Sequence, residues 1–201
     1  ARGFLSGYSF YTTKENKKEI KPTNKIITVK QNDIIETTMY GPRKQTSEGP
    51  KEIEEKLIID LKNQTIQTRD GKTQFKTGEW TDWIKISFTV GLFKKITANF
   101  KAFVPKTKPF EMFTTSLQID PQNPHMKISN PQNFSKELSK EIRQDYYTLG
   151  IPEETDGLND ELISEEAFIA QCYDIEEEKE KIFWNEFGKK DADILAIVFD
   201  S

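Results

Sequence analysis

The sequence is poor in the residues from which most active sites are assembled. Among 201 residues it has one cysteine, Cys172, so no disulfide can close within the chain. It has one histidine, His125, so a histidine-rich metal site or a Ser-His-Asp triad has one possible member here. It has no apolar run of roughly 18 residues, which excludes a membrane-spanning helix. It also lacks a basic excess: 29 Lys and Arg face 33 Asp and Glu, for a net charge of −4, and such a chain offers nucleic acid no electrostatic footprint. The opening "ARGFLSGYSF" has neither an initiating Met nor the long apolar core of a signal peptide. The expectation is a processed chain or an excised piece of a longer one. With Cys172 unpaired it would be cytoplasmic, with no nucleic-acid or membrane partner.

What is present divides near residue 120. Residues 8–120 read as mostly β. "KIITVK" (25–30) and "IIETTMY" (34–40) flank the turn "QND" as a hairpin. "GPRKQTSEGPKE" (41–52), with two Pro, two Gly and many charges, reads as a loop. "KLIIDL", "QTIQTR" and "TQFK" follow, the last two joined by Asp70-Gly71, a pair suited to positive-φ turn positions. "DWIKISFTV" (82–90) alternates apolar Ile84, Ile86, Phe88 and Val90 with polar residues, the period of a half-buried strand. "KITANFKAFV" (95–104) repeats the pattern as one strand, and "FEMFTTSLQI" (110–119) follows. After the Pro-rich connector 120–132, Leu138, Ile142 and Tyr146 mark an amphipathic helix within 134–147. An acidic linker leads to Ser164, which caps a helix to about Phe187 with Phe168, Cys172, Ile175 and Ile182 on its apolar stripe and Gly188 as its stop. "DILAIVFDS" closes the chain as a strand buried on both faces. The expected class is α+β: an antiparallel β meander or sandwich, then two helices and a final buried strand. The expected division is a β-rich unit over 1–120 and a helical unit over 121–201.

Candidate functional residues are few. Trp80 and Trp83 in "GEWTDW" could stack on a sugar or base if exposed, or plug the end of the sandwich if buried. His125, beside Asp120 and Asn123 in the connector, would need convergent carboxylates to act as a ligand or general acid. The acidic run 152–166 lacks the spacing of a calcium loop and reads as a solvated linker. "DIEEEKEKIF" reads as a solvated helix face with pairs such as Glu177 and Lys181. Cys172 reads as a buried structural thiol. No catalytic or metal-binding set is complete.

Taken in order, "GEWTDWIKISF", "LQIDPQNPHMKISNP", "YYTLGIPEETDGLNDELISEEAFIAQCY", "EEEKEKIFWNEF" and "DILAIVFDS" form a series. The series resembles the type I phosphodiesterase/nucleotide pyrophosphatase-like proteins of the alkaline phosphatase superfamily, in their large prokaryotic form. "FLSGYSFYTT" resembles the point where that family's chain leaves the core and enters an insert, with fewer residues at the junction. The resemblance implies that Asp200 stands just before the family's metal-binding Asp and His, which would lie beyond Ser201, and that the nucleophile would lie before Ala1. It implies a parent hydrolase using a divalent metal, zinc or manganese, on a phosphoester substrate. This chain would be an insert or cap-like domain, inactive alone, whose partner is the parent's catalytic core, and it could self-associate through the terminal strand. The alternative is a β-sandwich ligand-binding module, or a protein-interaction module working through the acidic helices, unrelated to hydrolysis.

Overall fold

The computed structural model describes residues 7–15, 18–47, 49–90, 94–189 and 193–198. The fold is α+β. One four-stranded sheet joins β1 (Ser9–Thr12), β2 (Lys25–Thr28), β9 (Ala102–Thr107) and β10 (Phe110–Thr114) in the order β2-β1-β10-β9. A second runs β3-β4-β5-β6 from β3 (Ile34–Thr46), β4 (Gly49–Asp60), β5 (Thr65–Thr68) and β6 (Gly71–Gln74). A three-stranded sheet, β11-β8-β7, comes from β7 (Ile84–Thr89), β8 (Lys95–Phe100) and β11 (Gln118–Ile119). The helices are α1 (Phe134–Ile142), α2 (Thr155–Asn159) and α3 (Glu165–Lys189). Pairing between the described strands is antiparallel except between β1 and β2, and Thr77 adds an isolated parallel bridge to Val104.

Strand alternation explains the layering. Side chains on a strand point to opposite faces by turns. Tyr11 of β1 enters a large core with Leu57, Ile66, Ile86, Phe88 and Phe100, while its neighbours Tyr8 and Phe10 enter a second core with Phe103, Phe113, Ile163 and Ala167. β9 and β10 divide in the same way: Val104 and Met112 go to the first core, Phe103 and Phe113 to the second. The β2-β1-β10-β9 sheet is therefore a middle layer, with β structure packed on one face and the start of α3 on the other. Leu138, Ile142 and Tyr146 form a third, small core with Phe134 and Ile182.

Several expectations need correction. β2 and β3 are not a hairpin: β2 pairs with β1, and β3 with β4. Residues 41–52 are not a loop but part of the long β3–β4 ribbon, with Arg43 opposite Glu52 and Thr46 opposite Gly49. The ladder slips between Tyr40 and Arg43, so Gly41 and Pro42 together face Ile53; a bulge tolerates proline because it needs no ladder N–H there. Thr68 pairs with Gly71, so the tight turn is Arg69-Asp70, and Gly71 does not have positive φ. Residues 95–104 are two strands in two sheets, parted at Lys101. The described residues form three helices where two were expected. α1 ends when Arg143 adopts a left-handed φ of 57°, with its N–H on Ser139 O, and Tyr146 lies beyond the helix although it packs on the helix stripe. α3 is capped as expected, Ser164 Oγ accepting the Ala167 N–H at 3.2 Å, but it passes through Gly188.

The final buried strand is not formed by the described residues. Residues 194–198 are neither helix nor strand, and Ile194 and Val198 are 86% and 70% exposed. An apolar run becomes a buried strand only where neighbours cover it, and none of the described strands pairs with it. Asp200 lies outside the described residues.

Gly41 is a close-approach position. A Cβ there would stand 2.3 Å from the ring of Phe88, which is fully buried and has no room to yield. Gly41→Ala is expected to destabilise the protein by about 1–3 kcal/mol, an overpacking cost. Gly71→Ala, with nothing within 4 Å of the added carbon, serves as a near-neutral control. Thermal melts of the two variants check this: equal midpoints would contradict the packing argument.

Candidate functional site

Two strands change sheets at one level. Lys101 is the single residue between β8 and β9, and Thr115–Leu117 link β10 to β11. The two crossings are bonded together: Lys101 N–H donates to Thr115 Oγ1 at 3.0 Å and Thr115 N–H to Lys101 O at 2.9 Å. This turns the Lys101 side chain toward α3. There Asp174 and Glu178, four residues apart and so on one helix face, both receive its ammonium, Glu178 Oε1 at 2.9 Å. Lys101 is 4% exposed and Glu178 6%. The Lys101 Nζ also lies 4.9 Å from the Trp83 ring centroid and 5.5 Å from that of Tyr147, within cation–π range. Trp83 Nε1 donates to Glu178 Oε1 at 3.0 Å, and Tyr147 N–H to Glu178 Oε2 at 3.2 Å. Burial pushes the Glu178 carboxyl above its ordinary range, and Lys101 pulls it part of the way back.

The network continues inward. Gln171, fully buried, donates from Nε2 to the Tyr147 hydroxyl at 3.4 Å and to Pro152 O at 3.2 Å, and its Oε1 accepts the Glu154 N–H at 3.0 Å. Glu154, 6% exposed, accepts the Ser116 N–H at 2.6 Å. Burial raises its carboxyl from 4.5 to about 7, with the Ser116 hydrogen bonds opposing and Asp156 adding a little. Burial likewise holds the Tyr147 phenol well above its ordinary value.

Above the ion pair opens a polar cleft of about 530 Å³ with Asp82, Trp83, Arg143 and Glu177 on its walls. Five carboxylates and three cations line it in all. Every neighbour of Lys101 Nζ is an acceptor or a π-face, so the geometry is that of a buried ammonium donor that fixes α3 against the strand crossing.

The residues singled out from sequence are dispersed. Trp80 is half-buried in the second core, tilted on Phe103 at 5.4 Å and edge-on to Phe113 at 6.1 Å, with Nε1 donating to Ala167 O at 2.8 Å. Trp83 stands on the polar cleft, edge-on to Tyr147 at 4.7 Å. His125 is half-buried in the connector, its imidazole held below its ordinary pKa by burial and by Lys94. Asp120 is turned to Lys85 at 3.1 Å, and Asn123 donates to Thr97 Oγ1 at 3.0 Å. Cys172 is half-buried, and burial raises its thiol.

Two acidic segments read as solvated hold buried carboxylates instead, Glu178 in one and Glu154 in the other. The expected Glu177–Lys181 pair is not formed; Lys181 donates to Gln144 Oε1 at 2.5 Å. Among the described residues no group of three or more His, Cys, Asp or Glu is placed to hold a metal ion. No helix of the described residues is long and apolar enough to cross a membrane. Searches of family models, curated proteins and solved structures found no match to the chain.

The Glu154 shift has a signed consequence. Below pH 4.5 the carboxyl is protonated in both folded and unfolded chains, and its contribution to stability is full. Between 4.5 and about 7 the unfolded chain gives up the proton while the folded protein keeps it, so stability falls as pH rises. The loss is on the order of 3 kcal/mol. Glu154→Gln keeps an acceptor for Ser116 and is expected to remove this component. Denaturant titrations at pH 5 and pH 8 measure it; an unchanged pH slope in the variant would contradict the assignment.

Proposed function

We propose that the chain is an insert or cap-like domain of a metal-dependent phosphodiesterase/nucleotide pyrophosphatase-like hydrolase. It does not turn over substrate itself and works against the catalytic core of its own parent chain. The observation that carries this reading is the exposed run Ile194-Leu195-Ala196-Ile197-Val198, in which Ile194, Leu195 and Val198 are 86%, 41% and 70% exposed. Apolar surface left in water costs about 25 cal/mol per Å² relative to burial, so such a run calls for a cover. In the resembled family the segment matching this run is a strand that leads into the metal site. Trp184 and Phe187, on the last turns of α3, are exposed as well, their rings edge-on at 5.8 Å. The zinc or manganese and the phosphoester substrate belong, on this reading, to the parent's core. In the isolated chain the same apolar surface is the place for self-association.

The test is a chromogenic phosphodiester assay on this chain and on the parent extended through both flanks, with zinc or manganese and with chelator. Turnover by the extended protein alone, abolished by chelator, is expected. Metal-dependent turnover by the 201-residue chain would sink the proposal, and so would an extended protein inert toward every phosphoester offered.

A further inference from the structure

The segment that joins α1 to α2 ends in a strap tied down by two buried glutamines. Gln118, on β11, accepts the Thr148 and Leu149 N–H groups on Oε1, at 3.1 and 3.0 Å. Gln171, on α3, holds the strap further along: its Nε2 donates to Pro152 O at 3.2 Å and its Oε1 accepts the Glu154 N–H at 3.0 Å. The two glutamines are 2% and 0% exposed. Glu154 adds the last tie, its Oε1 accepting the Ser116 N–H of the β10–β11 crossing at 2.6 Å.

Between the ties the backbone is strained. Ile151 adopts a φ of 58°, in the left-handed region that a β-branched residue rarely visits, and at 81% exposure its side chain gains little packing in return. The strap also has space on both sides. Leu149, Gly150, Ile151 and Pro152 line a cleft of about 370 Å³ shared with the loop before β2, and a second of about 130 Å³ shared with α3. The strap is thus a wall common to two clefts.

Glu154 is buried without help from a cation. Glu153 precedes it, and Asp156, the charge that acts on it, has the same sign. Lys21, of the loop before β2, is bonded to Asp156 at 2.5 Å. The crossing presents Ser116 and Gln118, and α3 presents Gln171. Asp174 and Glu178, which act with Glu154 on the Tyr147 phenol, are taken by Lys101. An ionised carboxylate in this position would be poorly compensated, and moving the strap outward would return it to water.

We infer that residues 149–154 are a pH-operated strap: ionisation of Glu154 releases them from Gln171 and from the β10–β11 crossing, and the two clefts join. The sign follows from burial. In the closed strap the carboxyl keeps its proton up to about pH 7, against 4.5 for a carboxyl in water. The closed form is fully favoured below pH 4.5, loses up to about tenfold per pH unit between 4.5 and about 7, and loses no more above that.

The test is amide hydrogen exchange by ¹⁵N NMR on the 201-residue chain, with rates corrected for the intrinsic effect of pH. From pH 5 to pH 7.5 the protection of the Thr148, Leu149 and Glu154 amides is expected to fall about tenfold or more. Adding about 1 M urea should leave these amides unchanged while it speeds exchange in β7 and β8, because a local opening exposes little new surface. In Glu154→Gln, which keeps the acceptor for Ser116 but cannot ionise, strap protection should be the same at both pH values. The wild-type measurements stand alone if that variant folds poorly. The inference is overturned if the strap amides keep their protection from pH 5 to pH 7.5, if urea speeds them as it does β7 and β8, or if Glu154→Gln retains the wild-type pH dependence.

Discussion

The Lys101 ammonium is the interaction on which the arrangement of layers depends. An ion taken out of water costs several kcal/mol unless its partners are close and well aimed. Here the cost is offset by Asp174 and Glu178 together with the faces of Trp83 and Tyr147. The lysine sits where two strands leave one sheet for another, so the pair locks α3 to that level of the β structure. A slide of α3 by one turn would leave Glu178 buried without its cation. The same locking places Gln171 against Glu154 and so fixes the linker 149–156.

The sequence was legible wherever neighbours along the chain decide the structure. β7 follows from the alternation of Ile84, Ile86 and Phe88, and the start of α3 from Ser164, but the face α3 buries is Ala167, Gln171, Ile175 and Glu178, and of the expected apolar stripe only Ile175 is fully buried. In 95–104 the alternation itself was right, for Ala98, Phe100, Ala102 and Val104 are all fully buried. What it could not show is that the opposite face, Asn99, Lys101 and Phe103, is buried too, under helices far along the chain. Glu178 looked like any other member of an acidic run; its partner stands 77 residues away, and nothing local marks it. Residues 41–52 misled for a related reason. Their Pro and Gly signal a loop, but cross-strand pairing from Ile34–Asp60 onward extends the ribbon through them, and the bulge absorbs Pro42.

The candidate surfaces differ in kind. The cleft over Lys101 is charged and internally committed. Trp80 and Trp83 are likewise committed, since both of their indole N–H groups have acceptors within the fold. The exposed apolar residues Ile194, Leu195 and Val198 have no cover within the described residues.

The most direct test of the account is a double-mutant cycle on Lys101→Met and Glu178→Leu, read by denaturant unfolding. Lys101→Met leaves the buried Glu178 carboxylate without its cation and should cost about 3–5 kcal/mol, while Glu178→Leu leaves Lys101 paired with Asp174 and should cost less. The double variant should cost much less than the sum, with a coupling of about 2 kcal/mol or more. Single effects that add within about 0.5 kcal/mol would show that the pair does not hold α3 to the strand crossing, and the account of the fold would have to be rebuilt from the apolar cores alone.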